Sequence, residues 1–295
     1  MRLRTLPLSL SGVVCGFFLA WADFRQGAIS TINFWVLPFL LLTTVCLQIL
    51  SNMSNELGDY LSGTDGADRQ GPMYSLGQGG ISVQKFKRTI FFFVLLCCLF
   101  GTLMVWQSFG TLICVKAVAT LLLGACAIWA AMHYTLGKNP YGYRGLGDFF
   151  VFVFFGLVSV LGSYWVMTGS ISLWPELLPA AGIGLFSIGV LNVNNIRDMV
   201  SDAGTRITIP LLMGERNAKW YHTFLIVGGW ACFTIFLLVS NRYHWGWWLF
   251  LLTIPLYAIH LKGVWQKSGK ELDGMLPLLV MSTFALAILF GIGQL

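Results

Sequence analysis

The chain has 295 residues, of which 57% are apolar, 15% aromatic and only 10% charged, against roughly 25% charged in ordinary soluble domains. So few charges cannot hydrate the surface of a soluble fold of this size, and a soluble globular protein is excluded. The net charge of +6 is explained by how the basic residues are distributed, with no nucleic acid needed as a partner.

Uncharged stretches run over residues 5–22, 26–55, 89–115, 117–137, 149–175, 177–196, 220–241, 243–261 and 274–295. Each supplies the ~20 residues that a helix needs to cross a bilayer core. The expected fold is therefore an all-α integral membrane protein, one domain over 1–295, in which nine transmembrane helices surround a central lipid-accessible cavity capped by cytoplasmic loops. No small-residue cleavage site follows the first stretch, so it is read as a helix and not as a signal peptide. The seven cysteines all fall in apolar runs without metal-type spacing, and read as small packing residues.

With the N-terminus in the cytoplasm, the outside holds only Arg25, Lys116 and Arg242 of the 18 basic residues. This positive-inside asymmetry sets the orientation, with the C-terminus outside the plasma (inner) membrane. The acids, which contribute little to insertion, still follow the basic residues, and only Asp23 and Glu176 of 12 lie outside. Something on the cytoplasmic face needs carboxylates.

In chain order, the second span ends in "LQILSNMSNELGDYLSGTDGADRQGP" (47–72), where Gln48, Asn52, Asn55 and Asp59 form one helical stripe. Such a stripe must face protein or water, because lipid offers amides no partner. The loop "HYTLGKNPYGYRGLGD" (133–148) lies on the same face and adds Lys138 and Arg144, with Tyr134 and Tyr141 beside them. The sixth span repeats the first device with Asn194 or Asn195, Asp198 and Asp202. In both loops an Arg follows an Asp at the fourth position, Asp65 with Arg69 and Asp202 with Arg206. The stretch 260–274 reads as a solvated connection. The four histidines read as packing or interface residues, with His222 near an interface and His260 at a helix end.

Clustered carboxylates and amides are hard oxygen ligands suited to Mg²⁺, which is commonly held by one or two carboxylates together with substrate phosphate. Arg supplies the planar fork for phosphate oxygens that the acids alone would repel. The expected ligand is a diphosphate bridged by Mg²⁺. Asn55, Glu56, Asp59, Asp65, Asn195, Asp198 and Asp202 are the metal candidates, with Asp59, Asp65, Asp198 and Asp202 as the catalytic set. Arg69, Lys138 and Arg206 are the diphosphate cations. A transporter would place its charges near the midplane, and a phosphoalcohol transferase would gather its acids in one motif; neither pattern matches acids shared between two spans at one face.

"NELGDYLSGTD" followed by "DRQGP", and "NNIRDMVSD" followed by "TRIT", resemble the paired Asp-rich signatures of the intramembrane aromatic prenyltransferases, the UbiA superfamily. "RLRTLP", the Gly58-to-Asp65 segment and "YRGLGD" look most like its branch acting on 1,4-dihydroxy-2-naphthoate in menaquinone synthesis. The resemblance implies Mg²⁺-dependent transfer of a polyprenyl chain from polyprenyl diphosphate to an aromatic acid acceptor, with membrane lipid around the site. Acceptors of the sister enzymes, 4-hydroxybenzoate, homogentisate or haem, stay open. Arg4, Asn52, Tyr134, Tyr141 and Arg144 are the acceptor-binding candidates, and the phenylalanines of 91–93 and 149–155 are candidates for lining the prenyl groove.

Overall fold

The computed structural model describes residues 3–63, 76, 80–240 and 245–295. Among these residues the chain is helical, with one isolated bridge between Arg144 and Ile207 as its only β pairing. The principal helices are α1 (Leu6–Arg25), α2 (Val36–Ser62), α3 (Val83–Phe109), α4 (Val115–His133), α5 (Gly147–Thr168), α6 (Leu177–Arg197), α7 (Glu215–Ser240), α8 (Ile254–Gln266) and α9 (Met275–Gly293). By length and apolar composition, eight segments among the described residues qualify as membrane spans. The expected span over 243–261 is the exception. Its helix is split into a 3-10 turn, Leu249–Thr253, and the 13-residue α8, which starts at a Pro.

Local chemistry sets the helix ends. Pro7 sits in the first turn of α1, where its missing N–H costs nothing. Ser82 caps α3 by accepting from the Lys85 N–H at 3.4 Å. The turns after α2, α3 and α5 use Gly63, Gly110 and Gly169 at φ of 76°, 68° and 66°, where a side chain would be strained.

Small residues bring the spans together. Gly12 and Gly16, four apart on α1, let that backbone approach α5, where an added Cβ would collide with Ser159 and with the Val160 carbonyl. Gly156 and Gly184 do the same between α5 and α6. Around them Phe186, Phe233, Phe250 and Phe290 stack into one apolar core. Phe91, Phe92, Val115 and Leu122 stay exposed on the outer faces of α3 and α4, where a bilayer would cover them.

Two contacts fix relative direction. Arg4, just before α1, donates to Asp273, just before α9, at 2.7 Å; Arg25, at the end of α1, donates to the Leu295 carbonyl, just after α9, at 2.8 Å. The first and last helices therefore run parallel.

Between Phe152 and Val158, α5 widens into a π-helical segment. Such a bulge turns side chains out of the regular helical register and is common at functional sites. Here Phe154, Phe155 and Val158 face a cavity enclosed by α1, α2, α4, α5 and α6.

Candidate active site

That cavity has a volume of about 370 Å³. Its deep walls are largely apolar, from Leu40, Leu47, Leu123, Ala127, Phe150 and Phe154, and its charged groups gather at the helix ends carrying the Asp-rich segments. The α2 stripe reads inward as its spacing requires: Gln48, Asn52, Asn55 and Asp59 all line the cavity. Gln48 donates to Thr5 at 2.9 Å and to Asn52 at 3.3 Å. Asn55 accepts from Thr135 at 3.3 Å, and the same hydroxyl reaches the Ser54 carbonyl at 2.9 Å. Gly58 makes that approach possible, because a Cβ there would overlap Thr135.

On the other side α6 ends at Arg197, and the chain continues through a single turn, Met199–Asp202. Asp202 receives the backbone N–H of Thr205 at 3.1 Å on its carbonyl, and Gly204, at φ 81°, lets the chain turn back so that Arg206 points into the cavity.

Arg206 joins the two motifs. Its Nη2 lies 3.7 Å from Oδ1 of Asp59, and its Nε lies 3.0 Å from Oδ1 of Asp202. The Nε contact is a charge contact without hydrogen-bond alignment, so this donor is free to turn toward another acceptor. Tyr143 completes the group: its hydroxyl donates to Asp59 Oδ1 at 3.0 Å, it lies 3.0 Å from the Ser62 hydroxyl, and its ring sits 5.2 Å from the Arg206 guanidinium carbon. The backbone locks this arrangement, since the Ile207 N–H donates to the Tyr143 carbonyl at 2.9 Å.

Burial pushes the Asp202 carboxyl up to about 6; Arg206 and Arg197 pull it down, while Asp198 and Asp59 push it further up. Carboxylates in excess over their cations, with amides alongside, suit a hard divalent ion. Among the described residues no three His, Cys, Asp or Glu side chains converge tightly enough to hold a metal alone.

A second charged group borders the same cavity. Arg197, buried at 5% exposure, donates through Nε and Nη2 to both oxygens of Asp198 at 2.8 and 2.7 Å. It also donates to Asn194 Oδ1 at 2.8 Å and to Asp273 Oδ1 at 2.9 Å. Asp273 Oδ2 in turn takes the Arg4 contact.

Against known proteins, the profile of the UbiA prenyltransferase family matches residues 9–290. The chain belongs to the UbiA prenyltransferase family. It is 39% identical over 296 residues to the 1,4-dihydroxy-2-naphthoate octaprenyltransferase of Escherichia coli, covering 99% of this chain and 92% of that protein. It is 37% identical to the enzyme of that name from Haemophilus influenzae, covering 100% and 94%. Among solved structures, the apo structure of a UbiA homolog from Aeropyrum pernix superposes with a TM-score of 0.71 at 16% identity, covering 99% of this chain and 98% of that one. The shared fold is that of a membrane-embedded UbiA protein.

Within this UbiA fold the expected site residues divide into groups. Asn52, Asn55, Asp59, Asn195 and Arg206 line the cavity, as do Arg4, Tyr134 and Tyr141. Asp198 and Asp202 stand just behind, tied to Arg197 and Arg206. Glu56 is turned elsewhere: its carboxylate accepts from the Leu76 N–H at 3.1 Å and does not line the cavity. Asp65 and Arg69 lie outside the described residues. Lys138 and Arg144 are exposed and away from the cavity wall, because the loop is folded by Tyr141, which stacks 3.9 Å from Phe150 and donates to the Ala130 carbonyl at 2.7 Å.

Tyr143, Arg197 and Asp273 escaped the sequence reading, and the stretch 260–274 is not simply solvated. Residues Gly269–Gly274 form a 3-10 turn that buries Leu272 and presents Asp273 to the cavity. His222 and His260 take the packing role expected of them and pair with each other: both are fully buried, with their Nε2 atoms 2.8 Å apart between α7 and α8. Of the groove candidates, Phe150, Phe154 and Phe155 line the cavity, while Phe91, Phe92 and Phe149 face outward.

Proposed function

We propose that this UbiA protein transfers a polyprenyl chain from polyprenyl diphosphate to 1,4-dihydroxy-2-naphthoate, with Mg²⁺, to make the quinol form of demethylmenaquinone in menaquinone synthesis. The observation that carries the reading is Arg206, a single guanidinium between Asp59 of one motif and Asp202 of the other at the polar end of an apolar cavity. The acceptor follows from the relatives' printed name.

Asp59, Asp198 and Asp202, with Asn55 and Asn195, are the groups that would hold Mg²⁺. Bound there, the ion would supply charge neutralisation for the departing diphosphate. Arg206 donates to the diphosphate oxygens as the allylic C–O bond breaks, and Tyr143 keeps the Asp59 carboxylate in place. The apolar walls hold the prenyl tail and keep water from the allylic cation, and the rings of Phe150 and Phe154 offer it π-faces. A ring carbon of the acceptor attacks that cation, and the ring regains aromaticity by releasing a proton, or CO₂ where the carboxyl group occupies the attacked carbon.

The basic-residue asymmetry supports a cytoplasmic N-terminus and cytoplasmic Asp-rich loops. Parallel α1 and α9 require an odd number of crossings. The split segment Leu249–Gln266 rises by about 30 Å in total, enough to act as the ninth.

The test is to incubate purified protein with Mg²⁺, prenyl diphosphates of several lengths and a panel of aromatic acids, and to identify products by mass. Prenylated naphthoquinol from 1,4-dihydroxy-2-naphthoate is the expected product. Transfer only to 4-hydroxybenzoate or homogentisate would refute the acceptor, and no transfer to any aromatic acid would refute the reaction.

A further inference from the structure

The Arg4–Asp273–Arg197 group already has the form of an occupied carboxylate site. One carboxylate receives a guanidinium on each oxygen, Arg197 Nη1 on Oδ1 at 2.9 Å and Arg4 Nη1 on Oδ2 at 2.7 Å, and all three residues face the cavity that holds Asp59 and Arg206. The two arms differ. Arg197 is fixed by Asp198 and Asn194 and is buried, whereas the Arg4 side chain is 52% exposed and that of Asp273 33%. Asp273 rides on a six-residue 3-10 turn beginning at Gly269, outside the long helices, so its side chain can leave without unpacking a span. The group sits beside both motifs: Arg197 adjoins Asp198, and Thr5, next to Arg4, contacts Gln48 on the α2 stripe.

We propose that Asp273 is an internal stand-in for the acceptor's carboxylate, and that an aromatic acid enters by displacing it from Arg4 and Arg197. This rests on the acceptor class given under Proposed function. Charge balance favours exchange over addition. Arg4 and Arg197 are matched by Asp198 and Asp273, so a further carboxylate beside all four would be an uncompensated negative charge next to the buried Arg197. With Asp273 swung toward the exposed side, the substrate carboxylate inherits both forks and its ring extends toward the two motifs. Asp273 is then a specificity residue: a neutral phenol gains nothing by displacing it.

The experiment measures direct binding of 2-naphthoate, which lacks the ring hydroxyls, and of the neutral 2-naphthamide, to wild type, Asp273→Asn, Asp273→Ala and Arg4→Gln. Steady-state KM values for the acceptor and for prenyl diphosphate accompany them. Removing the competing carboxylate should tighten 2-naphthoate about tenfold in both Asp273 variants and lower the acceptor KM, with 2-naphthamide affinity and diphosphate KM unchanged; Arg4→Gln should weaken 2-naphthoate by about the same factor. Unchanged or weaker 2-naphthoate binding in Asp273→Asn and Asp273→Ala would overturn the proposal and make Asp273 a strut. Binding is read without turnover, so a wild type that prenylates no naphthoate would count against the proposed reaction and leave this test standing.

Discussion

The two ends of the helix bundle use charge in opposite ways. At the end distant from the Asp-rich motifs, Asp23 accepts from the Tyr164 hydroxyl at 2.7 Å, Glu176 from Ser172 at 2.7 Å, and Lys116 donates to the Gly169 carbonyl at 2.7 Å. Each contact pairs a charge with a neutral group and ties one element to its neighbour. At the other end charges are shared. Arg206 serves two carboxylates, Asp273 serves two guanidiniums, and Asp202 is raised to about 6 by burial and by other acids. Contacts of the first kind hold one part of the chain to another, whereas a binding site keeps charge that a ligand can still satisfy.

The contrast is broken most severely if the shared end tolerates loss of an acid. Asp59→Ala or Asp202→Ala should each lower kcat/KM by 100-fold or more, about 3 kcal/mol of transition-state stabilisation, while the protein still inserts; product formation measured by mass decides it. Depleting Mg²⁺ with a chelator should stop turnover of wild type, and re-addition should restore it; full activity without divalent ions would remove the metal from the account. Arg206→Gln should cost on the order of 30-fold or more in kcat/KM for prenyl diphosphate, with Arg206→Lys recovering part of it because the charge returns without the fork.

Smaller effects sharpen the picture. Tyr143→Phe deletes one neutral donor to Asp59 and should lower kcat by about 3- to 10-fold, matching about 1 kcal/mol per hydrogen bond. Tyr164→Phe, at the locked end, should instead reduce thermal stability by about 1–3 kcal/mol by leaving the buried Asp23 carboxylate short of a donor, and should leave KM values unchanged. A Tyr164→Phe enzyme that is stable but slow would erase the distinction between the ends.

Both Asp-rich segments and their helical stripes were legible in the sequence because their information is local: spacings of three and four residues specify a face whatever that face meets. Gln48, Asn52, Asn55 and Asp59 therefore share the face that lines the cavity, and Arg206 lines it from the other motif. What pairs with what was not legible. Arg197 meets Asp273 across 76 residues, Tyr143 meets Asp59 across 84, and His222 meets His260 across 38, with no periodicity to announce any of them. Lys138 misled for the converse reason. A cation in a polar loop on the correct face looks like a phosphate ligand until stacking of Tyr141 on Phe150 determines how that loop folds. The split before α8 was hidden because composition reports apolarity along 243–261 but not the turn that interrupts it.

The central claim is that the ends of α2 and α6 form one site around a shared guanidinium. It is tested most directly by introducing Asp59→Cys and Arg206→Cys into a chain whose seven native cysteines are replaced, then treating membranes with a short bis-thiosulfonate cross-linker. The account predicts rapid intramolecular cross-linking, because the two side chains lie 3.7 Å apart. Two free thiols after treatment, both still reactive to a small alkylating reagent, would contradict it.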